Sequence, residues 1–132
     1  MAGRILVVED QGLTRSNISE FLRSKGYEVD EAGDGAKAME LLTQHSFDVV
    51  ISDFVMPRMH GLKLVDEITS KSPQTRIILM TAYLSTSSAK IILKGMAEII
   101  EKPFALDTLL SIVERLLRPK VLLAALVSLV TL

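Results

Sequence analysis

Cysteine is absent from this 132-residue chain, which excludes both a disulfide framework and thiolate metal ligation. That absence fits a reducing, cytoplasmic setting, which is the expected one. No basic stretch is present and the formal net charge is −1, so the counter-ion exchange that drives binding to nucleic-acid backbones has no footing. A nucleic-acid partner is not expected. The amino terminus, Met-Ala-Gly-Arg, leads straight into a strand-like run, without the positive region, long apolar core and cleavage site of a signal peptide. There is no internal repeat, low-complexity tract or linker, and no Walker-type loop to support nucleotide hydrolysis. Gly33-Asp34-Gly35 follows a strand-like run and reads as a turn, not as a dinucleotide fingerprint. The two histidines, His45 and His60, stand apart without ligand-like partners. Surface or helix-end positions are expected for both.

What is present suits one domain with a real core: 48% of the residues are apolar. Apolar runs of strand length lie at about residues 4–9, 27–31, 48–53, 76–81 and 97–101. The first, third and fourth are continuously apolar and rich in Ile and Val, as expected for strands covered on both faces. Tyr27-Glu28-Val29-Asp30-Glu31 alternates instead, which suits an edge. Between the runs lie helical stripes: Ile18, Phe21 and Leu22; Ala38, Leu41 and Leu42; Leu64, Val65 and Ile68; Ala89, Ile92 and Leu93. Leu109, Ile112, Val113, Leu116 and Leu117 follow the full i, i+3, i+4, i+7, i+8 pattern. Thr86, Ser87 and Ser88 are candidate caps for the helix around residues 89–93, and Asp107 is an acid in the first turn of the last helix. Strands alternating with helix-length crossovers imply a parallel sheet with helices on both faces. The expected fold class is α/β, a flavodoxin-like doubly wound (βα)5 sheet of order 2-1-3-4-5, with a switch point between the first and third strands.

Chemistry-bearing residues recur where the apolar runs end. Glu9 and Asp10 follow Ile5-Leu6-Val7-Val8, Asp53 closes the third run, Thr81 the fourth, and Lys102 follows the fifth. In parallel neighbours these groups converge on the sheet edge where open α/β sheets bind ligands. Three carboxylates gathered there repel one another: two unit charges about 4 Å apart interact by roughly 4 kcal/mol at an effective dielectric near 20. Either one acid takes a proton or a cation joins them. An all-oxygen donor set suits a hard ion, and a small site that keeps several waters suits Mg2+. Lys102 supplies a fixed positive charge for a phosphate oxygen and Thr81 a hydroxyl donor. An aspartate carboxylate can itself be a nucleophile and carry an acyl phosphate.

Taken in order, Val7-Val8-Glu9-Asp10, Asp53-Phe54-Val55-Met56-Pro57-Arg58-Met59-His60-Gly61, Met80-Thr81-Ala82 and Lys102-Pro103-Phe104 resemble the receiver domain of bacterial two-component response regulators. The resemblance spans about residues 4–118. It implies that Asp53 accepts a phosphoryl group from a phosphohistidine on a sensor histidine kinase or phosphotransfer protein. It implies Mg2+ held directly by Asp10, partly through water by Glu9, and by Asp53 and the main-chain carbonyl of Val55. Thr81 and Lys102 would grip the phosphoryl oxygens, and the Lys102–Pro103 bond would be cis. Pulling Thr81 inward would reshape the face made by the helix around residues 89–93, the fifth strand and the last helix, where a downstream target protein docks. One position departs from many relatives: the aromatic residue three before the lysine is here Ile99, so a switch by aromatic rotation is not expected. Val55 and Tyr83 stand where relatives tune the dephosphorylation rate.

Each marker has an ordinary reading by itself. Asp53 could end a strand in an Asx-turn, Lys102 could be a solvated charge, and Thr81 a plain strand residue; only their joint placement outweighs this. The six methionines read as core or loop filler. A haloacid-dehalogenase-like phosphatase would need a second aspartate two residues after the first, and that position is Val55, so catalysis beyond self-phosphorylation and slow self-dephosphorylation is not expected. The remaining alternatives are a receiver belonging to a larger regulator and an unphosphorylated interaction module. Residues 1–118 form the expected domain, and 119–132 an apolar tail. As a helix its twelve residues from Val121 would be about 18 Å long, against a hydrocarbon core of about 30 Å. It lacks the charged face of a membrane-surface helix. The expectation is an extra element packed on the domain or on a second copy, as in a homodimer.

Overall fold

The computed structural model describes residues 3–55, 61–82, 91, 94–118 and 128–130. Five strands, β1 (Arg4–Val8), β2 (Glu28–Ala32), β3 (Val49–Asp53), β4 (Arg76–Thr81) and β5 (Glu98–Glu101), form one parallel sheet of order β2-β1-β3-β4-β5. This is the flavodoxin-like arrangement expected from the alternating pattern. The helices are α1 (Gly12–Ser24), α2 (Gly35–Gln44), α3 (Gly61–Lys71) and a last helix, Leu106–Leu116.

Because side chains alternate along a strand, one sheet makes two cores. Ile5, Val7, Val49, Ile51, Ile78 and Met80 face Ile18 and Leu22 of α1 and Leu109, Val113 and Leu116 of the last helix. Leu6, Val8, Val50, Ile77 and Leu79 face Ala38 of α2 and Leu64, Val65 and Ile68 of α3. Each fully buried aliphatic side chain contributes about 1.5–3 kcal/mol of transfer free energy, which is why the middles of β1, β3 and β4 are aliphatic and their polar residues, Arg4, Ser52, Asp53, Arg76 and Thr81, fall at or next to the strand ends. Strand β2 is an edge, and its acids are tied down: Arg4 Nη2 lies 2.8 Å from Asp30 and Arg23 Nη2 3.3 Å from Glu31. Charged, paired side chains on an edge discourage further strand addition.

Ile91 is helical and buried, while the caps expected at Thr86, Ser87 and Ser88 and the stripe residues Ala89, Ile92 and Leu93 lie outside the described residues. So do His60 and Tyr83. His45 caps the end of α2, as expected for a helix-end histidine. In the tail, residues 128–130 are helical with Leu129 and Val130 exposed; 119–127, 131 and 132 lie outside the described residues. Among the described residues no helix is long and apolar enough to cross a membrane.

Candidate functional site

Register decides which strand ends meet. Val8 pairs with Ser52, so Glu9 and Asp10 leave β1 beside Asp53 at the end of β3. Thr81 pairs with Glu101, which puts Lys102 next to the end of β4. The sheet edge is closed by main-chain bonds: Phe54 N donates to Met80 O at 2.8 Å, Lys102 N to Thr81 O at 2.6 Å and Glu9 N to Ala32 O at 3.0 Å. The Lys102–Pro103 peptide is cis, as the family resemblance implies.

Carboxylate oxygens of Glu9, Asp10 and Asp53 all lie within 4.8 Å of one another. The three acids differ sharply in environment: Glu9 is 1% exposed, Asp53 is half-buried and Asp10 is exposed. Lys102 reaches into the group, with Nζ 3.1 Å from Asp53 Oδ1 and 3.5 Å from Glu9 Oε2. Burial, and then the nearby Asp53 charge, hold the Glu9 carboxyl above its ordinary value, although Lys102 and the Gln11 amide pull the other way. Burial works against the Lys102 ammonium, but hydrogen bonding and charge from Asp53, with Glu9 behind them, outweigh it and raise its pKa. The ammonium thus stands as the counter-charge of the two inner acids.

Three oxygen donors at this separation, without histidine or cysteine, suit a hard divalent ion, whose charge would offset both the burial of Glu9 and its repulsion by Asp53. Thr81 is 7% exposed at the end of β4, and Val55 follows Asp53 by two residues with its side chain exposed. The start of α3 lies close against the residue that follows β3: Gly61 N donates to Phe54 O at 2.9 Å, and a Cβ on Gly61 would stand 2.6 Å from that same oxygen. No side chain fits there without a shift of the Phe54 backbone, so glycine suits the position where α3 starts.

Residues 5–114 match the response regulator receiver domain family. The chain belongs to that family. The receiver is 38% identical over 113 residues to the transcriptional regulatory protein PdtaR of Mycobacterium tuberculosis, covering 84% of the chain and 55% of PdtaR. It is 38% identical over 119 residues to the chemotaxis protein CheY of Bacillus subtilis, covering 89% of the chain and 99% of CheY. The response regulator TrrA from Thermotoga maritima, solved in complex with Mg2+ and BeF, superposes with a TM-score of 0.77 at 36% identity, covering 89% of this receiver and all of that chain. The receiver spans about half the length of PdtaR and less of some other regulators it matches. Receiver domains are signalling switches of two-component systems, and that class is the one this chain falls in.

Two contributors to the site have no counterpart in the sequence reading. Gln11 N donates to Glu9 Oε1 at 3.3 Å, and Arg15 Nη1 donates to the Glu9 carbonyl at 2.7 Å. The amide could not be foreseen from sequence. Arg15 carries one faint signal: it is a cation about one turn into α1, at the helix end where anions are favoured.

Proposed function

We propose that this receiver is a phosphoacceptor switch in which Asp53 is the residue phosphorylated, by a phosphohistidine of a sensor kinase or of a phosphotransfer protein. An oxygen of the Asp53 carboxylate attacks phosphorus while the P–N bond breaks, the leaving imidazole nitrogen keeps the electron pair, and an acyl phosphate remains on Asp53. Glu9, Asp10, Asp53 and the Val55 carbonyl would hold Mg2+, which when bound offsets the charge of the acids and of the incoming phosphoryl oxygens. Lys102, poised 3.1 Å from Asp53, shifts from carboxylate to phosphoryl oxygen as the charge moves there, and the Thr81 hydroxyl supplies a second donor. Movement of Thr81 then biases the neighbouring face, through which the domain contacts a downstream protein.

The observation that carries this reading is the single ammonium shared by two of three clustered carboxylates, on the switch-point edge of the sheet. It is a poor arrangement for stability alone and a good one for a cation and a phosphoryl group. The Mg2+ and BeF complex of TrrA, a relative of the same fold, supports it by analogy. Incubation with Mg2+ and acetyl phosphate, followed by intact mass, tests it: the natural chain gains one phosphoryl group and Asp53→Asn gains none. A phosphoryl group retained by the Asn variant would remove the assignment. The partial coverage of PdtaR also supports a second reading, in which residues 1–118 act as the receiver of a longer regulator; the proposed chemistry is the same in both.

A further inference from the structure

The β1–α1 turn that carries Glu9 and Asp10 is short, and something must fix the peptide plane between them. Glu9 is held from both sides. Its N–H is bonded to the Ala32 carbonyl at 3.0 Å, and its carbonyl accepts Arg15 Nη1 at 2.7 Å. That carbonyl belongs to the peptide joining the two acids, so the guanidinium sets the direction in which both side chains leave the turn. Arg15 is itself anchored. Its Nε lies 3.4 Å from Glu31 Oε1 near the end of β2, and the other oxygen of Glu31 is 3.3 Å from Arg23.

The surroundings leave room for this fork. A Cβ on Gly33 would lie 3.4 Å from Nη1 and one on Gly12 3.8 Å from Nη2, so neither neighbouring backbone crowds the guanidinium. The bond ties the β1–α1 turn, through α1, to the edge strand. Arg15 is only a quarter exposed, so it is not a freely solvated charge.

We propose that Arg15 is a positioning residue for the acidic site: by gripping the Glu9 carbonyl while braced on Glu31, it orients Glu9 and Asp10 for a divalent cation. This rests on the reading that the acids hold such an ion. Charge and position have opposite signs here. A guanidinium acting only as a nearby positive charge repels a divalent ion, so its removal would tighten binding. A guanidinium that orients the ligands does the reverse, and loss of such an outer partner weakens metal affinity about tenfold or more.

The test is titration of the full chain with MgCl2 by calorimetry at fixed ionic strength, with melting temperatures measured in EDTA as a control for folding. Arg15→Gln is expected to bind Mg2+ about tenfold more weakly. Arg15→Lys keeps the charge but cannot span both partners, and also binds more weakly. Arg23→Gln loses the same Glu31 partner without touching the turn, and leaves the affinity unchanged. An unchanged or tightened affinity in either Arg15 variant overturns the proposal, as does an equal weakening in Arg23→Gln. Asp10→Asn separates this from the underlying reading. If the natural chain takes up no Mg2+, or Asp10→Asn binds it equally well, the site itself is misassigned and the role of Arg15 falls with it.

Discussion

Glu9→Gln should stabilise the metal-free protein at neutral pH and weaken it as a switch. Glu9 is 1% exposed and has a carboxylate of Asp53 within 4.8 Å and the Lys102 ammonium at 3.5 Å. At an effective dielectric near 20 the repulsion is about 3.5 kcal/mol and the attraction about 5 kcal/mol, so the two nearly cancel. What remains is the desolvation of a buried charge, several kcal/mol per ion before relaxation. Glutamine keeps the shape and can still accept the Gln11 N–H, but must be desolvated too, so the expected net gain is about 1–2 kcal/mol. The pH dependence fixes the sign. Glu9 holds its proton above the ordinary value of 4.5, chiefly through burial and then through Asp53. Between 4.5 and that raised pKa the folded state therefore binds more protons than the unfolded one, and this residue's contribution to stability falls as pH rises through the window. Urea unfolding in EDTA should show no advantage for Glu9→Gln below the window and the full advantage above it. In Mg2+ the order should reverse, because an ion at a hundred times its Kd adds about 2.7 kcal/mol to the protein that binds it. A variant less stable than the natural chain at pH 7 in EDTA, or an advantage that grows on acidification, would refute the reasoning.

Other outcomes follow from single contacts. Gly61→Ala forces a Cβ to within 2.6 Å of the Phe54 carbonyl oxygen, and should destabilise by about 1–3 kcal/mol in urea unfolding; an unchanged midpoint would mean the loop relaxes freely. Asp34 caps α2 by accepting the Lys37 N–H at 2.8 Å, so Asp34→Ala should lower stability by about 1 kcal/mol with unaltered Mg2+ binding. Deleting residues 119–132 should reduce any self-association without abolishing phosphorylation. Light scattering reads the mass, and an unchanged mass on truncation counts against an associating tail.

The sheet was legible in advance because its three central strands, β1, β3 and β4, are buried on both faces and are followed by or end in polar residues. The span expected at 76–81 is the observed β4, and the alternating run at 27–31 became the edge strand β2, displaced by one residue. The core stripes of Leu64, Val65 and Ile68 and of Leu109, Val113 and Leu116 were readable because helical periodicity leaves little freedom over which face is buried. Ile112 and Leu117, equally apolar, are only partly buried, since they flank the stripe. Clustering of the acids followed from strand order and register. Their different burial did not, because Glu9 and Asp10 are adjacent in sequence and only the β1–α1 turn decides which one goes inward. The grip of Arg15 on a main-chain carbonyl was equally out of reach, because a carbonyl has no signature in a sequence.

In the proposed switch one particular carboxylate among three neighbours carries the phosphoryl group, and chemical trapping identifies which one. After phosphorylation with acetyl phosphate and Mg2+, borohydride reduces an aspartyl phosphate to homoserine, and peptide mass spectrometry locates the reduced residue. Reduction is expected at position 53 and nowhere else; reduction at Asp10 or Glu9, or none in a chain that has gained phosphate, would overturn the assignment of Asp53.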